Sequence, residues 1–313
     1  MTSRRVGLYF AWSHPAESGV ELSLLDNRFP ALFELRRLFY PRYAELADAR
    51  QFDQGVGGFL DHIQKQNFVA FAEQAAAQTG AKTVVLERGA GDGQITGLDD
   101  PKLMGCDTLV IISFDSDRAN QTPTEAEALA MRRFLDQPGN ALFVCPHHDV
   151  GSGEDDVQQS DFLHHGDRAI PPRQRFGGFA RQLLQALGLR VQNQFGLRPA
   201  VHPDGSPKPV HVGRDRSHLL DGVPALNAHA HLPHFERLGD STEALEVLVR
   251  QDVEPSAPPH RSGRTSFDAL LQSRAGLFKG DLFIGDTTLF SSTAGGLENL
   301  RRLWQNLVAR PRL

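Results

Sequence analysis

Two short segments, residues 108–113 (TLVIIS) and 141–145 (ALFVC), are apolar at nearly every position. A strand with one wet face alternates apolar and polar residues. A run without alternation suits a strand covered on both faces, as in a parallel sheet sandwiched between helices. Between the two runs, Thr122-Pro123-Thr124-Glu125 supplies a cap candidate, a proline in the first turn and acidic residues near the positive helix end. The helix it opens carries Ala128, Leu129, Met131, Phe134 and Leu135 on its apolar side and stops before Pro138-Gly139. Strand, helix and strand at this spacing predict a doubly wound, mainly parallel sheet in a three-layer α/β sandwich of flavodoxin or amidotransferase type.

The remaining elements fit around that unit. Residues 6–12 (VGLYFAW) read as a first strand ending in Ser13-His14-Pro15, and a largely helical region follows. In that region Phe59, Ile63, Phe68, Phe71 and Ala75 recur at helical spacing before Gly80. Residues 82–86 (KTVVL) read as a second strand, and no helix pattern opens on the glycine-rich loop after it, which argues against a dinucleotide fingerprint. Further along, 179–187 reads as a helix ending at Gly188, while 190–195, 226–232, 244–250 and 282–284 read as strands. Residues 255–266 read as a surface loop, and a helix over 297–308 follows the last strand. A polar excursion at 151–175 is longer than a simple connection needs, and such loops tend to carry function. The expected organisation is one α/β domain over residues 1–313 with that excursion inserted.

Charge and composition narrow the classes of function. A formal net charge of −5 offers no basic face for nucleic acid, and no apolar run reaches membrane-spanning length. The N-terminal apolar run is short and lacks a small-residue cleavage site, so it reads as a strand in preference to a signal peptide. Only two cysteines occur, Cys106 and Cys145, which excludes a disulfide framework and suits a reducing cytoplasm. Arginine greatly outnumbers lysine, as in proteins from GC-rich bacterial genomes.

Three segments together resemble the class I glutamine amidotransferase-like superfamily, in its trehalose-utilisation-type branch. They are TLVIIS…TPTEAEALAMRRFLDQPGNALFVC, SHLLDGVPALNAHAHLPHFE, and KGDLFIGDTTLFSS…GLENLRRLWQNLVA. The resemblance implies a three-layer fold and places Cys145 where catalytic members carry a nucleophilic cysteine at a strand-to-helix elbow. It also implies that the strand near His231 delivers the general-base histidine. The next residue here is Pro146, which has no N–H to serve an oxyanion hole, and losing one such donor costs about 3–4 kcal/mol of transition-state stabilisation. Phe143 and His147 stand where the family has flanking glycines. A Cys145 thiol mechanism is therefore disfavoured, the alternative being a small buried apolar residue.

Histidines gather at the predicted strand ends. His14 follows the first strand, His147 and His148 follow Cys145 with Asp149 beside them, and His164, His165 and Asp167 lie in the excursion. His229, His231 and His234 surround the strand expected at 226–232. In a parallel sheet the C-terminal strand ends share one edge, where ligands bind at the crossover of strand order. Two chemistries fit such a set. His147, His148, His164, His165, His229 and His231 are candidate ligands for a divalent metal such as zinc, with an open position for water. Alternatively His147, His148 and His231 act as acid–base groups without metal. Trp12, His14, Asp115, Asp149, His164, His165 and Asp167 are the candidates for ligand contacts. Asp115, Asp117 and Asp286 also suit simple turn chemistry, and Arg168, Arg173 and Arg175 suit either an anion clamp or a solvated loop. The expected function is a hydrolase or lyase acting on a small polar molecule, in a chain able to form a homo-oligomer. The competing expectation is a non-catalytic binding or assembly protein on the same fold.

Overall fold

The computed structural model describes residues 4–12, 65–89, 95–115, 120–148, 175–229, 232–255, 265–292 and 296–309. The central strands are β1 (Val6–Phe10), β2 (Val84–Glu87), β3 (Thr108–Ser113) and β4 (Ala141–Pro146). β5 (Val191–Leu197) and β7 (Leu232–Arg237) pair as an antiparallel ribbon of their own. β6 (His211–Val212), β8 (Leu245–Asp252), β9 (Ser266–Ser273) and β10 (Asp281–Gly285) complete an eight-stranded sheet in the order β2-β1-β3-β4-β10-β9-β8-β6. The first five strands in that order run parallel, and from β10 onward each pairing is antiparallel. The fold is thus the three-layer, doubly wound α/β sandwich expected from the two apolar runs, with an antiparallel extension on one side.

Side-chain alternation divides the core into two halves. Leu8, Phe10, Val110, Ile112, Phe143, Cys145 and Phe283 meet α1 (Val69–Thr79) and α6 (Leu297–Ala309) through Phe71, Leu300, Leu303 and Trp304. Tyr9, Leu109, Ile111, Leu142, Val144 and Ile284 face the opposite way. They meet α3 (Glu125–Leu135) and α4 (Gly178–Ala186) through Met131, Phe134, Phe179 and Leu183; two short helices, α2 (Pro101–Met104) and α5 (Ser241–Ala244), precede β3 and β8. Burying both faces is what makes β3 and β4 apolar throughout. Each fully buried large side chain is worth roughly 1.5–3 kcal/mol, so these two clusters dominate the stability of the fold.

The start of α3 is fixed by a capping box. The Thr124 hydroxyl accepts from Glu127 N at 3.2 Å, and Glu127 Oε2 accepts from Thr124 N at 2.7 Å. Glu127 does more than cap: its Oε1 accepts from Leu98 N at 3.0 Å and pairs with Arg88 Nη1. Both charges are buried, and Arg88 also donates to Thr122 O at 2.9 Å and lies 4.7 Å over the Phe179 ring. Leu129, expected on the apolar side of α3, is instead 45% exposed, and Ala130 takes the inward place.

Two expected elements differ. The strand expected at 226–232 begins only at Leu232, because Asn227 Oδ1 accepts from His229 N at 3.3 Å and turns the chain locally. Pro233 is tolerated in β7 because, among the described residues, that strand pairs with β5 alone and meets no second ladder. β9 lies where the sequence shows no clean period. Its register pairs Leu270 with Gly285, the last residue of β10, so residues 266–269 continue past the end of the parallel strands. Among the described residues no helix is long and apolar enough to cross a membrane.

Candidate functional site

Strand order reverses at β1: β2 lies on one side of it, and the chain then crosses to place β3 on the other. The C-terminal ends of β1, β3, β4 and β10 share one edge, which brings Trp12, Asp115, residues 145–148 and Asp286 to the same end of the sheet. What these side chains do there differs from residue to residue.

Asp115 is a helix support. α4 starts at Gly177, whose φ of +72° is the left-handed conformation and whose missing side chain leaves no cap of its own. A Cβ at Gly177 would sit 2.7 Å from the Pro146 Cβ, so the turn also needs glycine to pass the end of β4. The strand β3 supplies the cap instead. Asp115 Oδ2 accepts from Phe179 N at 2.8 Å, Asp115 Oδ1 accepts from the Ser113 hydroxyl at 2.5 Å, and Ser113 Oγ accepts from Ala180 N at 3.0 Å. Burial raises the Asp115 carboxyl to about 6 against the pull of these hydrogen bonds. Both carboxylate oxygens serve α4, Oδ2 directly and Oδ1 through the Ser113 hydroxyl.

Cys145 and Trp12 belong to the core. The Cys145 side chain is fully buried within the cluster under α1 and α6, and burial, with the Asp286 carboxyl added, pushes its thiol well up. An activated nucleophile requires the opposite shift and an accessible sulfur. Trp12 is buried in the same cluster, with its ring 4.8 Å from that of Phe10.

Beyond Pro146 the imidazoles gather. The His147 ring lies 3.8 Å from Phe114 and 3.8 Å from His148, and His148 lies 4.8 Å from His229. His147 Nδ1 is 2.7 Å from the His148 carbonyl. A carbonyl can only accept, so this nitrogen carries the proton. The main chain here is held from two sides. Asn193 Nδ2 donates to His147 O at 2.6 Å, with Asn193 Oδ1 in turn accepting from Arg181 at 2.8 Å. On the other side His148 N donates to Asp286 Oδ2 at 3.0 Å, and the same oxygen lies 3.5 Å from His148 Nδ1, within ion-pairing reach.

Asp286 follows β10 and caps the 3-10 turn Thr287–Phe290 through Thr288 N, at 2.9 Å from Oδ1. Burial pushes its carboxyl up, opposed by the neighbouring His147 and by the N–H groups of Thr288 and His148. The chemical content is therefore a buried carboxylate behind one imidazole, with two further imidazoles within ring contact. Among the described residues no group of three or more His, Cys, Asp or Glu side chains is arranged to hold a metal ion. The His147 and His148 rings are tilted by 32° to one another, and those of His148 and His229 by 44°.

Other expected residues fall elsewhere. His234 sits in β7, where its Nδ1 accepts from Asp268 N at 3.3 Å, and Arg175 donates to Gln192 Oε1 at 2.7 Å. His14, Asp117, Asp149, His164, His165, Asp167, Arg168, Arg173 and His231, with residues 151–174 of the excursion, lie outside the described residues. The sequence reading undervalued Asp286, and it missed Asn227, Thr288, Asn193 and Arg181. Asp286 had a usable signal: an acid directly after an apolar parallel strand must reach the same edge as the residues after β4. The others are polar residues in loops or on β5 and α4, with no local pattern.

No family model and no curated protein matches the chain. Two of the solved structures it is similar to are an exo-β-1,4-mannosidase, Op5Man5, from an Opitutaceae bacterium and a ThuA-like protein from Bacteroides uniformis. The mannosidase is 9% identical with a TM-score of 0.34, over 98% of this chain and 35% of that one, so this chain spans about a third of its length. The ThuA-like protein is 13% identical with a TM-score of 0.38, over 96% of this chain and 89% of that one. At these scores neither likeness carries function or family, and the fold class stands on the strand order and the two-sided core of the chain itself.

Proposed function

We propose that this protein is an enzyme of hydrolase or lyase type that acts on a small polar molecule by histidine acid–base chemistry at the C-terminal edge of its parallel sheet. The observation that carries the reading is the pair His148–Asp286. An imidazole backed by a buried carboxylate is held in one orientation and is stabilised when it takes a proton, which is what a general base needs. The 3.5 Å separation is long for a hydrogen bond, and such contacts commonly tighten when substrate binds. His229 adds a second imidazole 4.8 Å away, placed to exchange a proton with the same substrate. Proton transfer of this kind is worth roughly 10²–10⁴-fold in rate.

The test is a turnover screen on small esters, amides, phosphate esters and glycosides, followed by His148→Ala in whichever assay responds. The variant is expected to lose roughly 10²–10⁴-fold in kcat/KM while remaining folded. Full turnover by folded His148→Ala would remove the reading. A second reading, a binding or assembly protein without catalysis, is favoured by one observation: His147 and His148 are only 6% and 4% exposed. It predicts ligand-induced thermal stabilisation in the same screen with no product formed.

A further inference from the structure

We propose that Asn227 is a positioning residue that holds His229 against His148, an inference that rests on the acid–base reading of these imidazoles. Three parts of the chain far apart in sequence meet here: the end of β4, the loop before β7, and the turn after β10. Asn227 is fully buried and joins them. Its Oδ1 accepts from His229 N at 3.3 Å, its Nδ2 donates to Thr288 Oγ1 at 3.0 Å, and its carbonyl accepts from Gln251 Nε2 at 3.5 Å. Thr288 N then donates to Asp286 Oδ1 at 2.9 Å, and Asp286 Oδ2 accepts from His148 N at 3.0 Å. A continuous line of hydrogen bonds thus runs from the main chain of His229 to the main chain of His148. The two rings it brings together are 4.8 Å apart.

The local chain would not adopt this shape on its own. Residues 226–232 have the pattern of a strand, and an extended backbone would carry the His229 main chain away from the Asn227 side chain. The Asn227 turn diverts it, since a side-chain amide bonded two residues on competes directly with strand formation. The chain entering α6 presses on the same peptide. A Cβ at Gly296 would lie 2.5 Å from Leu226 O and 3.2 Å from the Asn227 Cα, so the segment is clamped from behind as well. Asn227 makes its side-chain hydrogen bonds with a main-chain N–H and a hydroxyl. It acts through the His229 N–H on one side and the Thr288 hydroxyl on the other.

The experiment uses full-length protein with isotope-labelled histidine and phenylalanine, and reads ring-to-ring nuclear Overhauser contacts. Wild type is expected to show a His148–His229 contact, with Phe10–Phe68, whose rings are 5.6 Å apart, as a control at β1. Asn227→Ala is expected to lose the histidine contact and keep the phenylalanine one. Because Asn227→Ala leaves His229 N without its acceptor and Thr288 Oγ1 without its donor and can fail to fold, Thr288→Val and Thr288→Ser form a second pair. Thr288→Val is expected to lose the histidine contact, and Thr288→Ser, which keeps the hydroxyl, to retain it. Persistence of the contact in folded Asn227→Ala or in Thr288→Val, or its equal loss in Thr288→Ser, overturns the proposal. No substrate enters this measurement, so a chain that proves inactive and a chain whose rings ignore Asn227 give different results.

Discussion

Replacing Glu127 by alanine tests how the parallel sheet is tied to the helix layer beside β2. The carboxylate accepts from three donors, Arg88, Leu98 N and Thr124 N, and is 1% exposed; its partner Arg88 is 3% exposed. Removing it leaves a buried guanidinium without its counter-charge, a loss that runs to about 3–5 kcal/mol when one partner of a buried pair is deleted. The two backbone N–H groups lose their acceptor as well, so the upper half of that range is expected. Glu125, one residue into the same helix and exposed, makes a control: Glu125→Ala removes only a favourable charge near the helix start, worth about 1 kcal/mol or less. Urea denaturation followed by far-ultraviolet circular dichroism reads the difference. If an unpaired charge is the cause, the double variant Arg88→Met with Glu127→Leu should be more stable than Glu127→Ala alone. A Glu127→Ala loss no larger than that of Glu125→Ala would refute the reasoning, because it would mean the pair is solvated and not buried.

Further outcomes concern the edge of the sheet. Cys145 is expected to resist iodoacetamide in the native protein at neutral pH and to react fully in denaturant, as mass spectrometry can read, since its thiol is buried and pushed up. Rapid native labelling would revive the nucleophile reading. Asp115 sets a pH dependence: its carboxyl rises from 3.8 to about 6 on folding. Below about pH 4 it is neutral in both states; between pH 4 and 6 the unfolded chain gives up the proton that the fold retains, so stability falls as pH rises. Relative to Asp115→Asn, wild type is expected to lose on the order of 3 kcal/mol across that window, read by denaturation at pH 4 and pH 7, and a flat difference would contradict the burial argument.

What was legible in the sequence is what local physics determines. β3 and β4 announce themselves because burial on both faces leaves TLVIIS polar only at its two ends, Thr108 and Ser113, and ALFVCP without a charged or hydroxyl side chain. The start of α3 is equally readable, because Thr124 and Glu127 satisfy each other three residues apart. β9 (SFDALLQS) hides because Asp268 and Gln272 sit among its apolar residues. Asp268 is kept there by Arg250 at 2.7 Å and Arg237 at 3.8 Å, partners that no local window contains. The candidate site was half readable for the same reason. Histidines after β4 were visible as a cluster, yet the carboxylate behind His148 comes from 138 positions further along the chain. Asn227 cancels a strand pattern through its own side chain, which period counting cannot anticipate.

The antiparallel half of the sheet has a use that its parallel half cannot supply. Residues 266–269 overshoot the last pairing of β10 by about 14 Å of chain at about 3.4 Å per residue, and form a rim at the edge where the imidazoles gather. Gln251 of β8 and Asp268 of β9 reach from that rim to the Asn227 carbonyl and to His234. The imidazole-bearing edge and the rim are thus built from separate stretches of chain. Phe267, Asp268 and Ala269 of that rim are buried, so a substitution there is expected to disturb the packing of β9 together with the space beside the histidines.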